Sequence, residues 1–355
     1  MSYSVLTPLL IPPELRGKKS VNIGDGFILK SITNLLLPHQ CQYTYTSRKL
    51  LVDDEIDKIN STKALILAGA NQLNDNFTIL PGMNLDILEQ IKVPIVPFGI
   101  GVHGVKKYNR GMSDLTKEIL KYIHQRIKFS AWRCPLTIEY LTHHLPELRA
   151  QFLLTGCPVM YDEKILSHSS EFSDDVKTVV VTVTERHDFW ERETQTIDFV
   201  SENYRSAQKV LSLHQDFLEL QNVQVTKFWK SLQIKILKQY EPTPFSLREY
   251  AKHRGFQIFN PQSVDDFLSF YKNCDLHIGS RLHAHLYFLS QSKKSLLTYV
   301  DERCVGFAQL LDFPICDFNY LAKYLDYNFE TYRHNCIHSH KGMHKFVNYL
   351  QKEIL

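Results

Sequence analysis

The chain has no C-x-x-C pair, no low-complexity tract, no basic block and no apolar run near the roughly 20 residues that span a bilayer. Seven cysteines, odd in number and scattered, exclude a disulfide framework and point to a reducing compartment. The first ten residues carry no basic segment ahead of their apolar ones and run into Ile11-Pro12-Pro13, so no secretory signal is expected. A cytoplasmic protein follows, peripheral at most to the inner face of the cytoplasmic membrane. A formal charge of +3 with no basic face excludes nucleic acid as a partner. The pI near 8.3 allows only weak contact with an anionic membrane surface. The glycine-rich stretch Gly99-Ile100-Gly101-Val102-His103-Gly104 lacks the spacing of a dinucleotide fingerprint, and no acidic residue sits at the expected distance. No cofactor is called for.

What is present is an ordinary globular composition, 44% hydrophobic and 22% charged, over 355 residues. That length is long for one core and favours two domains of roughly 150 to 180 residues each. Short β-type runs alternate with helical patterns. The first half offers strands at 42–46, 64–68, 94–98, 127–132 and 152–155, with helices at 25–37, 85–91, 114–126 and 135–143 between them. The polar, acidic run from Ser167 to Asp175 reads as a linker. A second alternation follows: strand 178–184, helix 196–213, strand 223–226, helix 232–240, a helix through Arg254, strand 256–259, helix 264–273, then a strand and helix across 274–289, strand 295–300 and the segment 303–311. Strands alternating with helices build parallel sheets covered on both faces, so an α/β chain of two Rossmann-like halves around a central cleft is expected.

The most informative stretch is Ile278-Gly279-Ser280-Arg281-Leu282-His283, a buried strand running into a helix. A helix N-terminus presents unpaired N–H groups and a positive dipole end, and Arg281 adds a fork that matches carboxylate or phosphate oxygens. Capture of a small, doubly anionic substrate is the chemistry this predicts. Ligands of open parallel sheets lie beyond the carboxyl ends of the strands. That rule selects Asn22, Gly24 and Asp25, Gly69 and Asn71, His103, and Arg133 in the first half, and Arg186, Gly279 to His283 and Asp301 in the second. Blander readings stand beside these. Asp25 serves equally as a helix cap, Arg133 as the partner of a surface carboxylate, and Arg281 and His283 as solvated residues.

Four stretches, Asn22-Ile23-Gly24-Asp25, Leu67-Ala68-Gly69-Ala70, Phe98-Gly99-Ile100-Gly101 and Ile278 to His283, resemble in order and spacing the polysaccharide pyruvyl transferase family. The resemblance spans nearly the whole chain, and the Arg-Leu-His of the last stretch is its most specific part. Departures fall in the first half, at Ala70-Asn71, at Gly156-Cys157-Pro158 and after Arg133. The resemblance implies a GT-B-like arrangement and transfer of the enolpyruvyl carbons of phosphoenolpyruvate to a sugar of a polysaccharide or lipid-linked saccharide, giving a pyruvate ketal. Arg281 and His283 would hold the donor, helped by Arg186, Gly279, Ser280 and Leu282. His283 is expected as the acid, with Asp25 or His103 as base, and Asn22, Gly24, Gly69, Asn71 and Arg133 as further substrate contacts. The expected domains are 1–170, binding the acceptor, 171–330, binding phosphoenolpyruvate, and 331–355, a loop and helix that packs back on the first. A glycosyltransferase using a nucleotide sugar and a non-catalytic carbohydrate-binding relative are the alternatives. The tail from Arg333 to His340, with His344, holds ligand-type residues but matches no usual zinc spacing, and a surface loop ahead of a last helix over 341–355 is expected; no metal is assigned.

Overall fold

A computed structural model describes residues 2–9, 22, 24–103, 111–167, 171–184, 186–214, 240, 244–261 and 263–355. Runs of aliphatic residues with no polar side form fully buried strands, as Leu65–Ala68 and Ile95–Ile100 do in the first half and Thr178–Thr182 does nearly so in the second. The first sheet joins β1 (Ser2–Thr7), β2 (Gln40–Thr46), β3 (Leu65–Ala68), β4 (Ile95–Ile100), β5 (Ser130–Trp132) and β6 (Phe152–Leu154) in the order β2-β1-β3-β4-β5-β6. The second joins β7 (Thr178–Thr182), β8 (Gln208–Ser212), β9 (Gln257–Phe259), β10 (Leu276–Gly279), β11 (Lys294–Thr298) and β12 (Ile315–Cys316) in the order β12-β11-β10-β7-β8-β9. Every strand pair is parallel. Strand order reverses between β1 and β3 in one sheet and between β7 and β10 in the other, and crevices for ligands open at such points.

The covering helices, in chain order, are α1 (Asp25–Leu35), α2 (Asp53–Asn60), α3 (Leu85–Gln90), α4 (Asp114–His124), α5 (Pro135–His144), α6 (Glu163–Leu166), α7 (Trp190–Asn203), α8 (Pro244–His253), α9 (Val264–Tyr271), α10 (Leu282–Ser290), α11 (Glu302–Leu311) and α12 (Phe329–Tyr349). Strand β1 and helix α2 had no counterpart in the sequence reading. The expected helix over 196–213 is instead the end of α7 followed by β8. Ala207, Val210 and Leu211 fall at helical spacing, but the polar turn 204–206 ends α7 and the run pairs with β7. The strand expected at 223–226 and nearly all of the helix expected at 232–240 lie outside the described residues. The loop expected over 333–340 is helical and belongs to α12. Its start is set by Asn328, whose side chain accepts from the Glu330 N–H, and its buried face by Phe329, Tyr332, Cys336, Met343, Phe346 and Val347. Packing there overrides a weak helix propensity.

The halves meet through α1, which lies against α9 and α10. Phe27 stacks on Tyr287 at 5.5 Å and meets Phe267 edge-on at 5.5 Å. Gly26 is needed at this crossing, for a Cβ there would stand 2.1 Å from a Val264 methyl. Helix α12 returns to the first sheet: Phe346 packs edge-on against Phe98, and the Lys128 N–H donates to the Tyr349 hydroxyl at 2.8 Å.

Candidate active site

Helix α10 begins where β10 stops, and the junction is built on close approach. A Cβ on Gly279 would lie 2.1 Å from the Thr182 carbonyl oxygen, so only glycine lets the chain turn here beside β7. The Ser280 N–H donates to that carbonyl at 3.1 Å, and the Arg281 N–H to Thr182 Oγ1 at 3.2 Å. The Arg281 side chain folds back over the end of β7, where Nε donates to the Val183 carbonyl at 2.6 Å and Nη2 to the Thr184 carbonyl at 3.2 Å. Its fork is therefore tethered rather than solvated. Beneath the turn a buried polar chain crosses three strands. His277 pairs through Nε2 with Thr182 Oγ1 at 2.7 Å and through Nδ1 with Ser295 Oγ at 2.6 Å, and His285 Nδ1 meets the same Ser295 Oγ at 2.8 Å. Burial pushes His277 down to about 3, so this link is neutral.

From the first half, Asn22 braces the start of α1. Its Oδ1 accepts from the Gly24 N–H at 3.2 Å, and its Nδ2 donates to Asp25 Oδ1 at 3.3 Å. Asp25 Oδ1 then lies 3.8 Å from His283 Nδ1, which joins the two motifs across the interface. Burial pushes Asp25 up to about 6 even though Arg303, Arg133, Arg48 and Arg281 all pull it down. Burial, with Arg133, Arg303 and Arg281 adding to it, holds His283 well below its ordinary value. The imidazole is thus neutral at pH 7, and the carboxyl is the group of the pair that titrates near neutrality.

Around this pair opens a cleft of about 210 Å³ lined by both halves: Asn22, Gly24, Asp25 and Asn71 on one side, and Thr184, Arg186, His214, Ser280 to His283, Val300, Asp301, Arg303 and Cys304 on the other. Arg303 is fastened to Asp301, with Nε at 2.8 and 3.0 Å from its two oxygens and Nη2 at 2.5 Å, and it reaches across to Asn71 Oδ1 at 3.3 Å. That pair holds the Asp301 carboxylate below its usual range despite burial.

Of the residues selected by sequence, Asn22, Gly24, Asp25, Asn71, Arg186, Ser280, Arg281, Leu282, His283 and Asp301 come together in the cleft, with Gly279 buried beneath. Arg186 is exposed at its mouth. Gly69 turns the chain with φ +57° where a Cβ would strike Ile28, and does not line the cleft. His103 is not brought there either: it is exposed, and its N–H donates to the Leu73 carbonyl at 2.7 Å. Of the two expected bases, Asp25 and His103, only Asp25 stands in the cleft, beside His283. Arg133 does not meet a surface carboxylate. It is 1% exposed behind the cleft, with none of its side-chain nitrogens hydrogen-bonded. The sequence reading passed over Arg303, His214, Thr184 and Cys304. Arg303 could have been found by the rule that found Arg281, since it opens a helix just past β11; His214 was hidden by the misread helix. Among the described residues no group of three or more His, Cys, Asp or Glu is placed to hold a metal, and no helix is long and apolar enough to cross a membrane.

No curated protein sequence matches the chain. Among solved structures, a UDP-GlcNAc 2-epimerase from Methanocaldococcus jannaschii superposes with a TM-score of 0.50 at 14% identity, over 98% of this chain and 100% of that one. MnaA of S. aureus, in its co-structure with UDP, gives 0.49 at 12% identity over 99% and 95%. At such identity the likeness is one of fold, the GT-B-like pairing of two Rossmann-like halves. A sequence model for polysaccharide pyruvyl transferase matches residues 22–302, more than three-quarters of the chain and all of the cleft-lining residues but Arg303 and Cys304. The chain belongs to the polysaccharide pyruvyl transferase family.

Proposed function

We propose that the cleft binds phosphoenolpyruvate and transfers its three carbons to a sugar of a polysaccharide or lipid-linked saccharide as a pyruvate ketal. The observation that carries this reading is the joining of Arg281, Arg186 and Arg303 with the Asp25–His283 pair in a cleft of about 210 Å³. Such a space falls below the roughly 300 to 1,000 Å³ of sites for drug-sized ligands, and favours a small dianion over a nucleotide sugar. Guanidinium groups on the second half suit the donor's phosphate and carboxylate. The short polar side chains of Asn22 and Asn71 suit a sugar hydroxyl approaching from the first half.

In the first step a proton is added to the methylene carbon of the donor, which becomes a methyl group, and one acceptor hydroxyl bonds to the adjacent carbon and gives up its proton. In the second, another hydroxyl of the same sugar bonds to that carbon as its bond to the phosphate oxygen breaks, and the hydroxyl's proton leaves with the inorganic phosphate. With His283 neutral, the acid and base duties exchange relative to the sequence reading. Asp25, raised to about 6 and raised further when a dianion arrives beside it, supplies the proton to carbon, and His283 accepts one from the hydroxyl. Thermal unfolding with phosphoenolpyruvate, UDP and GDP tests the reading. Donor at a hundred times its Kd should stabilise by about 2.7 kcal/mol, and the nucleotides should not. Stabilisation by a nucleotide and not by phosphoenolpyruvate overturns it in favour of glycosyl transfer. Stabilisation by neither, with saccharides binding, overturns it in favour of a carbohydrate-binding relative.

A further inference from the structure

Arg133 follows β5 and its side chain turns inward, where the guanidinium is 1% exposed. None of Nε, Nη1 and Nη2 has a hydrogen-bond partner. The group lies 5.9 Å from the centre of the Phe307 ring, which belongs to α11 in the other half. Space for it is made by Gly101 at the end of β4, where a Cβ would stand 2.1 Å from Arg133 Nε and 2.8 Å from Nη2. Burying a cation without a counterion opposes folding, and a neutral side chain of equal length would pack there at less cost. The seat holds a charge at a cost to the fold that its contact with the Phe307 ring offsets only in part.

That charge acts on the cleft. Around the Asp25–His283 pair stand Arg281 at the head of α10, Asp301 and Arg303 at the head of α11, and Arg48 from the first half, with the thiols of Cys134 and Cys157 beside Arg133 itself. Arg303 is matched by Asp301 and Arg281 is tethered to backbone carbonyls. Asp25 is the carboxylate left to balance Arg133, and it is raised toward neutrality by burial. We propose that Arg133 is a positioning residue for the reaction, a sealed cation whose counterion is the anionic substrate held in front of it in the cleft. This rests on the reading of the cleft as a donor site only in that the substrate is an anion. Bound substrate then supplies negative charge where the arginines around Arg133 outnumber the carboxylates Asp25 and Asp301.

The experiment compares the full-length protein with Arg133→Met, Arg133→Lys and Gly101→Ala by thermal unfolding, by calorimetric binding of phosphoenolpyruvate and of inorganic phosphate, and by the pH profile of kcat/KM. Arg133→Met should unfold at the same or a higher temperature than wild type while its Kd for phosphoenolpyruvate rises about tenfold or more. Its pH profile should move to higher pH, because removing a nearby positive charge raises both Asp25 and His283. Arg133→Lys should keep the profile of the wild type. Gly101→Ala, which keeps the charge but displaces it, should weaken anion binding in the same direction, and combined with Arg133→Met it should add little. If wild type binds inorganic phosphate but not phosphoenolpyruvate, and the phosphate affinity falls in Arg133→Met, the inference stands and the donor reading fails. Unchanged affinity for both anions with an unmoved pH profile in Arg133→Met overturns the inference. So does a loss of stability in Arg133→Met whose folded fraction binds as wild type does, which would make Arg133 structural.

Discussion

Replacing Asp25 by Asn should make the protein more stable and less active, and the stability gain should depend on pH. Asparagine keeps the size and an oxygen able to accept from Asn22, whose Nδ2 lies 3.3 Å from Asp25 Oδ1. What it removes is a carboxylate that burial raises from 3.8 to about 6. A shift of about two pH units corresponds to ~3 kcal/mol at about 1.4 kcal/mol per unit. The sign follows from proton counts. Between those two values the folded state holds a proton that the unfolded chain has released, so stability falls as pH rises, and above pH 6 the whole penalty is present. Relative to wild type, Asp25→Asn should therefore gain little below pH 4 and about 3 kcal/mol at pH 7.5. With an unfolding entropy of about 2.1 cal/mol/K per residue over 355 residues, that gain is a rise of about 4 °C in Tm. Thermal unfolding at pH 4 and 7.5, paired with phosphate release from phosphoenolpyruvate in the presence of acceptor, measures both halves of the prediction. Turnover should fall about 10²- to 10⁴-fold. An equal or lower Tm at pH 7.5, or a difference that does not change with pH, refutes the electrostatic reasoning. Full turnover would leave Asp25 outside the reaction, as a residue of the first turn of α1.

Three further outcomes are expected. Arg281→Lys should weaken phosphoenolpyruvate binding tenfold to a hundredfold by calorimetry, because an ammonium cannot reproduce the planar fork that now spans the Val183 and Thr184 carbonyls; near-native affinity would move the anion site elsewhere. Phe27→Ala empties a ring seat shared with Phe267, Tyr271 and Tyr287 between the halves and should cost about 3 to 5 kcal/mol in denaturant unfolding, a loss under 1 kcal/mol arguing that the halves are held by other contacts. His277, pushed down to about 3 in the folded state, must gain a proton on unfolding below its ordinary 6.5, so it lowers stability as pH falls through 6.5; His277→Gln should flatten the fall in Tm between pH 6.5 and 4, and an unchanged slope would place the acid sensitivity elsewhere.

The parts of the fold that were legible are those in which one strand or helix carries its own signal. Thr178–Thr182 and Ile95–Ile100 are apolar on both faces, and helices such as Asp114–His124 have a capping serine and a clean stripe. The strand-end rule finds ten of the cleft-lining residues, because in a parallel sheet the ligand end follows from chain direction alone. It failed where a pattern fits two periods, as in Ala207 to Leu213, and where packing supplies what propensity withholds. In α12, His334 and His338 face solvent while Tyr332, Cys336 and Met343 are buried, and a stretch of His, Asn and Cys reads as helix only once its partner surface is known.

The roles inside the cleft were harder to read than its membership, and the reason is that they are properties of burial rather than of residue type. A histidine in a first turn suggests an acid, since its ordinary value lies near neutrality. In this fold burial, with three arginines adding to it, keeps His283 neutral, while the same burial lifts Asp25 to about 6. The arginines, which lower both groups, come from three separate strand ends: 133 after β5, 281 after β10 and 303 after β11. Their spacing in sequence says nothing about their sum. Arg133 makes the point most sharply, because nothing local separates an arginine that pairs with a surface carboxylate from one sealed under Phe307. The difference is made by Gly101, more than thirty positions earlier, which leaves the space that the guanidinium fills.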